Sequence, residues 1–198
     1  MEKFRNTVIS AWTENIKAQF AEGRIVYERQ MQAELYHLLR IALGSEYEIW
    51  VEPVVYSESI WPNAAKETLI KPDLIITKAY EGRNEIIAVV ELKCKPWEHP
   101  TFLNDCLKLC EFEKAVKENP TVTIPLGYKP VSNKWNTADR SNWREFTVNA
   151  DCLMCLFVCA HPNSQAITFK NVKQQPENFM RLIGYFNEQL QSPEFKLA

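Results

Sequence analysis

The sequence contains no uninterrupted apolar segment of the length that a signal peptide or a membrane span requires. It also lacks low-complexity tracts, internal repeats and any linker that would separate two domains. These absences predict a single domain over residues 1–198, located in the cytoplasm and without a membrane partner.

The sequence also has no strong excess of positive or of negative charge. Lysine and arginine total 23, aspartate and glutamate total 25, and the formal net charge is -2 at pH 7. The molecule as a whole therefore does not attract polyanions, and any nucleic-acid contact must come from a locally basic surface. The proportions of hydrophobic residues (46%) and charged residues (24%) are typical of a globular protein.

Six cysteines are present, at positions 94, 106, 110, 152, 155 and 159. A chain of 198 residues can bury a core without disulfides, and a reducing compartment keeps thiols reduced. The last three cysteines lie in an apolar run of strand length, where their spacing does not predict an iron-sulfur site. We therefore expect free thiols, most of them buried.

The periodicity of apolar residues predicts an alternation of helices and strands. Helices are expected at 4–20, ended by Gly23, and then near 27–43, 101–118 and 177–191. Strands are expected at 46–56, 69–77, 85–93, 152–160 and 166–169, with loops at 57–66 and 121–150. This order predicts an α/β fold with a mixed central sheet flanked by helices, including extra helices at the N- and C-terminal ends.

The residues that indicate chemistry lie on two neighbouring strands. Pro72-Asp73 precedes an apolar run, and Glu91-Leu92-Lys93 ends the next one. Because side chains alternate along a strand, Glu91 and Lys93 share one face. A turn that contains Gly82 between the strands would form a hairpin and bring Asp73 next to both. The alternative is a turn aspartate near a solvated Glu-Lys pair.

Two adjacent carboxylates repel each other, and a divalent cation removes that repulsion. Oxygen ligands without nearby histidine or cysteine favour Mg²⁺ or Mn²⁺ over zinc. A lysine beside such a cation can contact a phosphate or orient an attacking water. The pattern therefore favours hydrolysis of phosphodiester bonds.

Pro72-Asp73 followed by Glu91-Leu92-Lys93 resembles the motif of the PD-(D/E)XK nuclease superfamily, which includes the restriction endonucleases. The resemblance implies an αβββαβ core, which corresponds to residues 27–160 here. It implies that Asp73, Glu91 and the backbone carbonyl of Leu92 bind the metal, and that Lys93 activates the nucleophile. It also implies nucleic acid as the substrate, with DNA favoured over RNA.

Many members of the superfamily add an acidic residue from the helix before the first strand. Glu34 occupies that place, among the apolar residues Met31, Leu38 and Ile41. Glu34 either completes the metal centre or extends its carboxylate to solvent at the edge of the apolar stripe.

Basic and aromatic residues mix in the segment 121–150. Its Lys134, Arg140 and Arg144, together with Lys95 after the motif strand, are candidates for nucleic-acid contact. The segment could instead pack its tryptophans over the core. A homodimer is a further expectation, because dimers suit enzymes that cut both strands. The competing hypothesis for the whole chain is a catalytically inactive binding or assembly module of the same fold.

Overall fold

The computed structural model describes residues 2–55, 71–80, 82–94, 99–125, 143–163 and 175–198. Within these ranges the helices are α1 (Glu2–Ser10), a π-helical segment (Ala11–Ile16), α2 (Lys17–Ala21), α3 (Glu28–Leu43) and α4 (His99–Glu118). The strands are β1 (Tyr47–Val51), β2 (Leu74–Tyr80), β3 (Arg83–Cys94), β4 (Thr121–Pro125), β5 (Trp143–Val148), β6 (Met154–Asn163), β7 (Phe179–Asn187) and β8 (Ser192–Leu197). All eight described strands belong to one mixed sheet, which confirms the expected α/β class.

A π-helical segment accounts for the four-residue apolar period of the N-terminal helical region. Four residues exceed one α-helical turn by about 0.4 residue, so a regular helix would rotate such a stripe away from the core. The π-helical segment has wider turns, and it lies in the middle of the repeat. Phe4, Val8, Trp12 and Ile16 are all fully buried as a result. Gly23 follows α2 with a positive φ of 70°, as expected for the end of the helix.

The helix α3 packs a stripe of Met31, Leu35, Leu39 and Leu43 against the sheet. It ends at Gly44, whose φ of 80° suits a residue without a side chain. These bounds match the predicted helix closely.

The strands β1, β2 and β3 form an antiparallel meander. Leu74 on β2 lies opposite Val90 on β3, and Gly82 in the connecting turn has a φ of 78°. The predicted hairpin is therefore present. The register shifts between Ile76 and Thr77 because β3 contains one extra residue, Ile87, which makes a β-bulge.

The helix α4 connects β3 to the parallel strand β6 through the β4-β5 hairpin. It covers one face of the sheet, where Cys106, Leu109 and Phe112 pack against Val89 and Phe157. The helices α1 to α3 cover the other face. Both faces of β3 and β6 are thus buried, which is why these strands read as continuous apolar runs.

Two predictions about elements are wrong. Residues 179–187 and 192–197 are the strands β7 and β8, where the sequence predicted a C-terminal helix near Glu177 to Gln191. The strand β7 pairs in parallel with β6 and in antiparallel with β8, and its sequence is apolar at most positions, so it lacks the apolar-polar alternation that distinguishes a strand from a helix. The segment 121–150 is likewise more than a loop, because β4 and β5 pair within it.

The expected loop at 57–66 and the expected strand at 166–169 lie outside the described residues. None of the six cysteines forms a disulfide, as expected, although Cys152 is exposed and Cys110 only partly buried. Burial raises the pKa of the Cys106 and Cys159 thiols, so both are poor nucleophiles. In the described part of the chain, no helix combines the length and the apolar character needed to cross a bilayer.

Candidate active site

The hairpin of β2 and β3 brings the motif residues together. Its pairing reaches Leu74 opposite Val90, so the next residues along, Asp73 and Glu91, face each other across the two strands. The backbone N–H of Leu92 donates a hydrogen bond of 2.6 Å to Oδ2 of Asp73. Two carboxylates that are far apart in sequence therefore lie side by side.

The backbone at Asp73 is fixed from two directions. Its carbonyl oxygen accepts a hydrogen bond of 3.0 Å from the side chain of Gln32 on α3. It accepts a second, of 2.9 Å, from the backbone N–H of Glu52, just after β1. These bonds hold the residue in place before β2 begins.

Glu91 and Lys93 both lie on the face of the sheet that α4 covers. Their partners on the parallel strand β6 are Phe157 and Cys159, which pack against α4, whereas Leu92 packs against the helices on the other face. Glu91 is only 3% exposed. The alternative of a solvated Glu-Lys pair is therefore wrong.

The helix α4 adds an aspartate and a lysine. Asp105 is 3% exposed and contacts two ammonium groups: its Oδ2 lies 3.2 Å from Nζ of Lys93, and its Oδ1 lies 2.9 Å from Nζ of Lys108. Nζ of Lys108 also lies 3.8 Å from Oε2 of Glu91. Asp105 thus links the lysine of the motif to a second lysine beside Glu91.

The first residue of α3, Glu28, contacts Lys93 from the other side. Its Oε2 lies 3.4 Å from Nζ of Lys93 and accepts a hydrogen bond of 3.4 Å from the backbone N–H of Cys94. We call the assembled group the carboxylate-lysine cluster: Glu28, Asp73, Glu91, Lys93, Asp105 and Lys108.

Burial and mutual repulsion dominate the electrostatics of the carboxylates. Burial, followed by the neighbouring Asp73 carboxylate, raises the pKa of Glu91 to about 8, against the opposing effect of Lys108. Burial also raises the pKa of Asp73, although its hydrogen bond from Leu92 opposes that change. In the cation-free protein Glu91 therefore retains a proton over much of the neutral range.

For the Lys93 ammonium group, nearby charges affect the pKa more than burial does. Burial acts to lower its pKa, but the nearby carboxylates of Asp105 and Glu28 outweigh burial and raise it. Lys93 is therefore a cation at neutral pH in the cation-free protein, and it donates hydrogen bonds instead of accepting a proton.

The donor atoms around Asp73 suit a hard divalent cation. The carboxylates of Asp73 and Glu91 lie together, and the carbonyl of Leu92 points to the same edge of β3 as its N–H, which binds Asp73. An all-oxygen set of this kind fits Mg²⁺ or Mn²⁺. Among the described residues, no three histidine, cysteine or acidic side chains form a ready cation site. The expected set contains only two such side chains and one backbone oxygen.

Glu34 has a different partner from the one expected. Its carboxylate accepts a hydrogen bond from the side chain of Gln19 on α2. Gln32, which contacts Asp73, lies two positions away, or about 200° around the helix. The structure therefore does not bring Glu34 into the cluster, and α3 contributes Glu28 and Gln32 instead.

The candidates for nucleic-acid contact are only partly described. Lys95, Lys134 and Arg140 lie outside the described residues. Arg144 on β5 lies 2.8 Å from Glu48 of β1 and stacks near the rings of Trp50 and Phe146. Glu48 pairs with a residue roughly 13 Å along β2 from Asp73. Arg144 therefore lies apart from the cluster.

Sequence reasoning missed Asp105, Lys108, Glu28 and Gln32. A signal existed for two of them, because Asp105 lies four residues before the buried Leu109, and Gln32 three residues before the buried Leu35. A polar residue within the apolar stripe of a helix is more informative than one on its outer face. Glu28 and Lys108 carry no comparable signal.

A separate cleft of about 650 Å³ lies at the other end of β6. Acidic, apolar and thiol side chains line it, among them Glu2, Asp151, Cys152, Met154, Phe179 and Met180. It includes no member of the carboxylate-lysine cluster, whose exposed rim is formed by Lys108 and Glu28. This cleft is therefore separate from the candidate site.

The chain was also compared with known proteins. No protein-family model, no curated protein and no solved structure matches it.

Proposed function

We propose that this chain is a Mg²⁺- or Mn²⁺-dependent nuclease of the PD-(D/E)XK type, which hydrolyses phosphodiester bonds in nucleic acid, with DNA favoured over RNA. The observation that carries the proposal is the position of Asp73 opposite Glu91, with Lys93 on the same face two residues further along β3. This grouping of two carboxylates and a lysine on one face supports the proposal.

The order of the elements supports the same proposal. Residues 28–163 contain α3, then β1 to β3, then α4, then β6 parallel to β3. This order corresponds to the αβββαβ core that the resemblance implies. The β4-β5 hairpin and the strands β7 and β8 are additions to that core.

Each residue has a role that follows from its surroundings. Asp73, Glu91 and the carbonyl of Leu92 would hold the cation, which when bound supplies a Lewis acid for the phosphoryl group. Lys93 remains an ammonium group between Asp105 and Glu28, so it donates a hydrogen bond to a phosphate oxygen or to the attacking water. Gln32 fixes the backbone that carries Asp73.

The test is a cleavage assay with plasmid and single-stranded DNA in the presence of Mg²⁺ or Mn²⁺. The variant Asp73→Asn keeps the shape of the side chain but removes the charge that binds the cation, so we expect cleavage to be lost. The exposed aspartate Asp151 offers a matched control, Asp151→Asn, which should cleave like the unaltered protein. Equal cleavage by the two variants would contradict the proposal and indicate a contaminating nuclease.

A specific observation keeps the inactive binding module as a second candidate. Lys93 and Lys108 already offset part of the negative charge of the cluster without any metal. If no metal and no substrate supports cleavage, and Mn²⁺ does not bind, this second function replaces the first.

A further inference from the structure

Lys108 is the cation that pairs with the buried carboxylate of Glu91. Nζ of Lys108 lies 3.8 Å from Oε2 of Glu91, and the exposed fractions of the two side chains are 46% and 3%. Among the ion pairs of the described residues, this is the one in which Glu91 takes part. The ionic contact between Glu91 and the protein surface therefore runs through a lysine, whose stem is long and flexible.

We propose that Lys108 is a tethered cation: it lies against Glu91 while the site holds no divalent cation, and it turns outward to bind a substrate phosphate when a divalent cation arrives. The inference rests on the proposed function, because it assigns the cation and the phosphate to the same site. It adds a substrate-contacting residue outside the strand motif.

The two lysines of the cluster differ in how firmly they are held. Lys93 is 19% exposed and lies between two carboxylates, 3.2 Å from Asp105 and 3.4 Å from Glu28. Lys108 is more exposed, and its 2.9 Å contact with Asp105 comes from a residue on the same helix. Asp105 can therefore keep Lys108 near the cluster after the ammonium group leaves Glu91. Lys93 is instead held by residues of two helices, Glu28 of α3 and Asp105 of α4.

Electrostatic repulsion would drive the replacement of the Lys108 ammonium group by a divalent cation. A divalent cation between Asp73 and Glu91 would supply the positive charge that Lys108 otherwise offers to Glu91. It would also repel an ammonium group a few ångströms away. The displaced group is a donor of charge-assisted hydrogen bonds, and a phosphate of the nucleic-acid backbone is the acceptor that the proposed substrate presents.

The first measurement is the affinity of the full chain for Mn²⁺, determined by titration calorimetry in the absence of substrate. Replacing Lys108 with methionine (Lys108→Met) removes the competing charge, so we expect Mn²⁺ to bind about tenfold more tightly. Lys108→Arg retains a cation and should bind Mn²⁺ like the unaltered protein. Lys114→Met, an exposed lysine on the same helix, is the matched control. If Lys108→Met does not fold, Lys108→Gln takes its place.

The second measurement separates KM from kcat in the cleavage assay. Lys108→Met should raise KM for DNA about tenfold, because a phosphate contact is lost, while kcat changes less. Unchanged or weaker Mn²⁺ binding in a folded Lys108→Met protein overturns the inference but leaves the nuclease proposal standing if the unaltered protein cleaves DNA. An unaltered protein that neither binds Mn²⁺ nor cleaves overturns both.

Discussion

Two buried glutamates lie on the same side of the sheet and have contrasting surroundings. Glu113 on α4 is 7% exposed, and its Oε1 accepts a hydrogen bond of 2.8 Å from the backbone N–H of Glu177. Glu91 on β3 is 3% exposed, faces Asp73, and has Lys108 at 3.8 Å as its paired cation. Each glutamate has a lysine nearby, Lys117 at 3.9 Å from Glu113 and Lys108 at 3.8 Å from Glu91, but only Glu113 accepts a backbone hydrogen bond, whereas Glu91 lies beside a second carboxylate. Burial of an acid thus indicates function only when its partners are known.

The largest expected effect is on cleavage. Glu91→Gln removes a ligand charge from the proposed cation site, so we expect kcat/KM to fall on the order of 10³-fold. Glu113→Gln should leave kcat/KM near that of the unaltered protein. The check is steady-state cleavage of one DNA substrate by both folded variants. Similar losses in the two would remove the functional distinction between these glutamates.

The next effect concerns pH and stability without divalent cations. The folded state binds the Glu91 proton with a pKa of about 8, against 4.5 for a free side chain. Between these values the folded protein holds more protons than the unfolded chain, so stability falls as pH rises. The contribution approaches about 1.4 kcal/mol per pH unit.

Urea unfolding across this pH window, with a chelator present, measures that contribution. Glu91→Gln should flatten the decline, and Glu113→Gln should keep it. Parallel curves for the unaltered protein and Glu91→Gln would show that Glu91 titrates normally.

A smaller effect is expected for the structural glutamate. Glu113→Ala leaves the backbone N–H of Glu177 without its acceptor, so the free energy of unfolding should fall by about 1–3 kcal/mol. Chemical denaturation at neutral pH gives the value. Full stability in this variant would mean that water replaces the carboxylate, and the contrast with Glu91 would weaken.

The smallest effect concerns the support of Asp73. Gln32→Leu removes the 3.0 Å hydrogen bond to its carbonyl oxygen, which should cost about 1 kcal/mol of stability and lower kcat several-fold. Gln19→Leu is the matched control, since Gln19 bonds Glu34 on the other side of α3. It should change stability without changing kcat. Equal kcat losses would give Glu34 a role in the site after all.

Local sequence rules account for part of the candidate site. Strand alternation placed Glu91 and Lys93 on one face, and the glycine turn placed Asp73 beside them. Both relations involve residues of one hairpin, so they depend on backbone geometry that short segments specify.

The remainder depends on how separate elements pack. Asp105 reaches Lys93 only because α4 crosses from β3 to β6, and the sequence does not specify that angle. The sequence also did not indicate which face of α3 is buried. Ile41 was expected on the same apolar face as Glu34, but it is 68% exposed, and the buried stripe runs through Leu35 and Leu39. A related limit explains the C-terminal error, since β7 is apolar at most positions and its sequence shows no alternation.

The extra residue Ile87 divides β3 into two segments, and the alternation of side chains between the two faces of the sheet restarts in the second segment. Ile87 and Ala88 both face the helices α1 to α3, so the alternation restarts after them. Deletion of Ile87 itself would remove the bulge and leave Glu91 and Lys93 on their present face, whereas deletion of one residue between Ile87 and Glu91 would turn both side chains to the opposite face. Mutational tolerance along β3 should change abruptly at that residue.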